Sequence, residues 1–110
     1  MGASDVKGIS VIIPAHNEAA VIGRCLASVL ASDPVPSFQV VVVANGCTDD
    51  TARVAQAFGD QFAENGWGLT VLDLPEGGKP NALNAGDAAA RFGARVYLDA
   101  DVTLSKTVLS

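Results

Sequence analysis

Asp99 and Asp101 stand two residues apart in YLDAD, with only Ala100 between them. Two carboxylates this close repel each other unless a proton or a cation intervenes. Hard divalent ions such as Mg2+ take carboxylate oxygens and keep positions for water and phosphate, so the pair is a candidate metal site. A D-x-D tripeptide is short and arises often by chance. The apolar run in front of it raises its standing, because that run reads as a strand that delivers both acids at its carboxyl end. Three other polar clusters follow apolar runs in the same way: Pro14, Ala15, His16, Asn17 and Glu18; then Asn45, Gly46, Cys47, Thr48, Asp49 and Asp50; then Pro75, Glu76, Gly77, Gly78 and Lys79.

The familiar phosphate loops are missing. No G-x-G-x-x-G follows the first apolar run, and GGKP lacks both the spaced first glycine and the Ser/Thr of a P-loop. Lys79 nevertheless sits where a helix should begin, a position at which the helix dipole disfavours a cation and a bound anion would remove the conflict. His16 has no orienting partner visible in the sequence, so it reads as a loop residue rather than a general base.

Four strands and three helices must position these clusters. ISVIIP (9–14), FQVVVVA (38–44), LTVLDL (69–74) and ARVYLDAD (94–101) read as strands. Val21, Ile22, Cys25, Leu26, Val29 and Leu30 form the apolar stripe of a helix over 18–31, with Asn17 as its N-cap. A second helix is expected over 50–63, capped by Thr48 or Asp49, with Val54, Ala55 and Phe58 inward. A third is expected over 80–93, with Pro80 in its first turn. DPVPS (33–37) reads as a loop, and TLSKTVLS as a helix start capped by Ser105 that stops after one turn. The order βαβαβαβ, with near-continuous apolar strands, predicts an α/β fold: a Rossmann-like parallel four-stranded sheet covered on both faces. The partial alternation of 69–74 places that strand at an edge. In open sheets of this kind ligands bind beyond the carboxyl ends of the strands, which is where all four polar clusters fall.

The totals narrow the function. The 110 residues are 49% hydrophobic, enough for one small core and too apolar for a disordered chain. A net charge of −5 with only seven Lys and Arg leaves no basic stripe for nucleic acid. A negatively charged ligand would therefore need a metal or helix N-termini. Cys25 and Cys47 fit neither a disulfide framework nor a zinc site and read as reduced thiols of a cytoplasmic protein. No signal peptide opens the chain, and no apolar run approaches the roughly twenty residues of a membrane span.

Taken together, ISVIIPAHNE, VVVANGCTDDT, GGKPNALNAG and YLDAD resemble, in order, four segments of the family 2 inverting glycosyltransferases of the GT-A fold. The resemblance covers almost the whole chain and is carried by the set of motifs rather than by any one. It implies an N-terminal, donor-binding portion over 1–110, truncated after the D-x-D strand. Pro14, Ala15, Asn17 and Glu18 would line the nucleoside pocket of a nucleoside-diphosphate sugar. Asn45 falls where many members carry an Asp that reads the base, so the carboxylate contact is lost and selectivity for uridine should be weaker. Lys79 would lie near the ribose and pyrophosphate, Asp99 near the ribose or metal, and Asp101 would bind Mn2+ or Mg2+ through the diphosphate. The acceptor would be a hydroxyl of a sugar, lipid or polysaccharide. The family's general base lies beyond the D-x-D strand, so it is expected beyond Ser110, and a longer chain could sit on the cytoplasmic face of a membrane. A sheet cut here should expose a strand edge and self-associate. Two other readings stay open: a catalytically inactive nucleotide-sugar-binding fragment, and a phosphoreceiver-like regulatory domain, for which the acidic pair expected after the first strand is absent.

Overall fold

The computed structural model describes residues 8–32 and 37–103. The loop expected over 33–37 lies outside that range except for Ser37, and so does most of the expected helix start, with Ser105.

Four strands form one all-parallel sheet: β1 (Ile9–Ala15), β2 (Phe38–Asn45), β3 (Gly68–Leu74) and β4 (Ala94–Tyr97), in spatial order β3-β2-β1-β4. Side chains alternate across a strand, and here both faces are apolar. Val11, Ile13 and Ala15 of β1, with Val40 and Val42 of β2, turn towards helix α1 (Ala19–Leu30), whose Ile22, Cys25, Leu26 and Val29 are buried against them. Ile12, Val41 and Val43 turn the other way and meet Ala82 of α4 (Lys79–Ala89). The result is a three-layer α/β/α unit, as the continuous apolar runs predict. β3 lies at an edge, also as expected.

The second expected helix is two. α2 (Thr51–Gln56) and α3 (Gly59–Glu64) are separated by a tightened turn in which the Phe58 N–H donates to Ala55 O at 3.1 Å. Gly59 is a poor helix former at the break. The bend seats Phe58 beside Gly23 of α1, about 3.7 Å from where a Cβ on that glycine would stand, and sends Phe62 into the core. The fourth strand is shorter than expected, ending at Tyr97 rather than at residue 101, and all four of its residues are exposed. Its apolar sequence does not place it under helices: it pairs with β1 on one side, and Val96 and Tyr97 remain open to solvent among the described residues.

A buried polar pair that the sequence does not announce ties the far end of the sheet together. Ser10 Oγ donates to Gln39 Oε1 at 2.9 Å and accepts from Phe92 N, while Gln39 receives the Arg91 N–H and donates to Ala89 O. The end of α4 is satisfied there by side chains of β1 and β2, as buried backbone groups require.

Candidate functional site

Strands β1, β2 and β3 step in one direction and β4 lies on the opposite side of β1. The strand order therefore reverses between β1 and β4, which opens a crevice at their carboxyl ends. An open cleft of about 560 Å3 lies there, lined by Pro14, Ala15, His16, Glu18, Asn45, Gly77, Gly78, Asp99 and Asp101. All four polar clusters contribute.

Of the eight residues expected to bind the donor, six line this cleft: Pro14, Ala15, Glu18, Asn45, Asp99 and Asp101. Asn17 does not. Its backbone is left-handed (φ 51°), and its Oδ1 accepts the N–H groups of Thr48 and Asp49 at 2.7 and 3.2 Å. Nor does Asn17 cap α1, whose N-cap is Glu18 with no side-chain cap bond. The cap comes from another loop: Asp49 Oδ2 accepts the Ala19 N–H at 3.1 Å, and Thr51 Oγ1 accepts the Glu18 N–H at 2.9 Å. Position 17 is one residue too early for the helix start and is consumed in holding the second turn. Lys79 opens α4, but its side chain falls outside the described part of the structure.

Asp49 also accepts the Thr51 N–H at 3.0 Å and the Thr51 hydroxyl in a local turn, but the N-cap of α2 is Asp50, with no side-chain cap bond, so neither Thr48 nor Asp49 stands at the cap position expected for the second helix. The Thr51 hydroxyl and the backbone donors hold its carboxyl below the ordinary Asp value. A lowered folded-state value means that the carboxylate form is favoured by folding. Its contribution is present above the unfolded Asp value of about 4 and is lost as pH falls through the lower folded one. The Asp49→Asn variant should therefore show a flatter decline of stability below about pH 4 than the unaltered chain. Chemical denaturation at several acid pH values measures this, and parallel curves would refute it.

Asn45 is only 4% exposed. Its Nδ2 donates to Gly78 O at 2.8 Å, and its main-chain oxygen lies 2.7 Å from His16 Nδ1, which therefore carries the hydrogen of that bond. His16 thus has the orienting partner that the sequence did not reveal, because a backbone carbonyl 29 positions away leaves no mark in local spacing. Ala100 is a second residue missed: it is 1% exposed and packs into the α1-side core. That anchor holds the turn between the acids, closed by the Val102 N–H donating to Asp99 O at 3.1 Å. Burial pushes the Cys25 thiol up to about 11, with the charges of Asp101 and Glu18 adding, so it stays protonated and faces Asp99 O at 4.0 Å.

The donor set around Asp99 and Asp101 is all oxygen. Among the described residues no group of three or more His, Cys, Asp or Glu side chains forms a closed metal cage. Two exposed carboxylates facing one cleft suit an ion that completes its shell with water and ligand oxygens, as Mg2+ does, and do not suit zinc.

This sheet order, with a cleft at the reversal, is that of a GT-A glycosyltransferase domain. TarS of Staphylococcus aureus (residues 1–349, in complex with UDP) superposes with a TM-score of 0.81 at 27% identity, over 92% of this chain and 29% of that one. The mannosyltransferase PcManGT from Pyrobaculum calidifontis, in complex with GDP-Man and Mn2+, gives 0.78 at 31% identity, over 86% of this chain and 28% of that one. The 4,4'-diaponeurosporenoate glycosyltransferase of Staphylococcus aureus is 37% identical over 100 residues, which are 88% of this chain and 24% of that protein. Residues 10–110 match the glycosyl transferase family 2 model, and the chain belongs to that family as an N-terminal portion. It spans about a quarter of the length of these relatives. Among the described residues no helix is long and apolar enough to cross a membrane.

Proposed function

We propose that this chain is the donor-binding part of a glycosyltransferase that binds a nucleoside-diphosphate sugar with a divalent metal and serves inverting transfer of the sugar to an acceptor hydroxyl. The observation that carries this reading is the convergence of all four strand-end clusters on one cleft at the β1/β4 reversal. Its support from relatives is that solved structures of the same fold hold UDP, UDP-GlcNAc, or GDP-Man with Mn2+.

Each part of the cleft has a distinct task in this reading. Pro14, Ala15 and Glu18, with the His16 ring, form the wall for the nucleoside. Asn45 and the glycine loop form its floor, and that loop leads into the first turn of α4, whose free N–H groups favour an anion. Asp99 and Asp101 would hold the cation. The cation supplies Lewis-acid stabilisation of the negative charge that grows on the leaving nucleoside diphosphate. Ala100 fixes the acids by its burial, and the protonated Cys25 behind them adds no charge.

The test is direct. Isothermal titration of UDP and GDP into the chain with Mn2+ should give saturable binding that is lost with adenosine or inorganic phosphate alone. A heat of mixing indistinguishable from buffer for every nucleotide would overturn the proposal.

A further inference from the structure

The turn after β2 meets the end of β3 and the glycine loop that follows it at three points. The Gly46 N–H donates to Leu74 O at 2.8 Å. Gly46 has φ 62°, and a Cβ there would stand 2.8 Å from Gly77 N and 2.9 Å from Gly77 Cα, so the two backbones approach as only glycine permits. The third point is the Asn45 Nδ2 bond to Gly78 O. Gly78 O also accepts the Ala82 N–H at 3.1 Å, the first backbone bond of α4. One carbonyl thus serves both the helix and the Asn45 amide.

The other half of that amide has no partner among the described residues: Asn45 Oδ1 is buried and accepts no hydrogen bond from them. The orientation of the amide is fixed all the same, because a carbonyl oxygen only accepts and must therefore face the nitrogen. A buried amide that leaves its acceptor idle is costly; what it supplies here is a donor. An Asp at this position would keep the idle acceptor, lose the working donor, and set a carboxylate against Gly78 O.

We propose that Asn45 is a positioning residue whose Nδ2 latches the glycine loop and the first turn of α4 onto the end of β2, so that the residue type at position 45 sets the geometry of the cleft floor. The backbone approach at Gly46 and the His16 bond to Asn45 O make this position a hub between the loops after β1, β2 and β3. The loop takes a donor from the strand end at this position, which an Asn side chain supplies and an ionised Asp would not. The latch itself rests on geometry alone; its consequence for ligand binding rests on the donor-binding reading above.

Amide hydrogen exchange on the chain without ligand tests the latch. In Asn45→Asp the Ala82 and Gly46 amides should exchange about tenfold faster or more, while Val40, Val41 and Val42 in the middle of β2 keep their protection. Asn45→Ala removes the donor without adding charge and should show the same local loss, which keeps the test open should the Asp variant not fold. Unchanged exchange at Ala82 and Gly46 in a folded variant overturns the latch. A second arm titrates UDP and GDP with Mn2+. Both variants should bind about tenfold more weakly than the unaltered chain, and tighter or equal binding by Asn45→Asp overturns the link from latch to cleft. Failure of the unaltered chain to bind any nucleotide counts against the donor-binding reading alone, since the exchange arm needs no ligand.

Discussion

Removing divalent cations should weaken nucleoside-diphosphate binding by this chain at least tenfold, on the order of 1.4 kcal/mol or more. Asp99 and Asp101 face the same cleft, and Glu18 lines it too. A diphosphate placed there without a counterion meets like charge at close range, which costs a few kcal/mol at an intermediate dielectric (about 4 kcal/mol for one pair at ~4 Å). A divalent cation reverses the sign of that interaction. Because only two carboxylates are on offer, metal binding without nucleotide should be weak, and the two ligands should be strongly coupled. Asp101→Asn should lose most of the coupling. Asp50→Asn should lose little, because Asp50 is exposed at the start of α2 and does not line the cleft. Titrations of UDP and GDP with Mn2+ and with chelator, on the chain and both variants, give the result. Equal affinity with and without metal would defeat the assignment of Asp101 and leave the D-x-D as a turn pinned by Ala100.

The second large effect concerns the layer beneath α4. Ile12 is fully buried in β1, next to Val41 across the register, and faces α4. Ile12→Ala should cost about 2–5 kcal/mol, a large share of the roughly 5–15 kcal/mol that holds such a domain. Gly86 of α4 is the contact that makes the sign of a further change informative. A Cβ on Gly86 would stand 2.5 Å from Ile12 Cγ2, a methyl that a β-branched side chain in a buried strand cannot swing away. Gly86→Ala alone therefore sets an overpacking cost of about 1–3 kcal/mol against a helix-propensity gain of about 1 kcal/mol, and should destabilise on balance. In the Ile12→Ala background the clash is gone and the new methyl fills part of the cavity. The same change should then stabilise, with a coupling of about 1–3 kcal/mol. Denaturant unfolding of the four proteins completes the cycle. A Gly86→Ala effect of the same size in both backgrounds would mean that α4 is not seated on Ile12, and would remove the support for the glycine loop's position at its start.

What the amino-acid sequence determines by itself is whatever short-range pattern carries. Apolar runs such as VVVVA fix the buried strands, and the i, i+4, i+7 spacing of Ile22, Leu26 and Val29 fixes α1, because periodicity is local. The four motif segments fix the family, and the rule that ligands sit beyond parallel strand ends brings Pro14, Glu18, Asn45, Asp99 and Asp101 to one place. The split of the second helix was not read from the sequence, although Gly59 stands at the break, because the core position of Phe62 is what turns the bend into a gain.

Other features were decided only by the tertiary structure. Asn17 looks like a cap and a pocket residue, yet it binds the turn after β2, while Asp49 from that turn caps α1 in its place. Side-chain oxygens satisfy whichever orphan backbone N–H groups lie within about 3 Å, and those are set by packing between elements some thirty positions apart. The exposure of β4 follows from its place in the sheet order, which its apolar sequence does not encode. Asn45 is the plainest case. Its type suggested a weakened reader of the base, and its surroundings make it the donor that Gly78 O receives, because hydrogen-bond partners are chosen by three-dimensional proximity and by which atoms can donate.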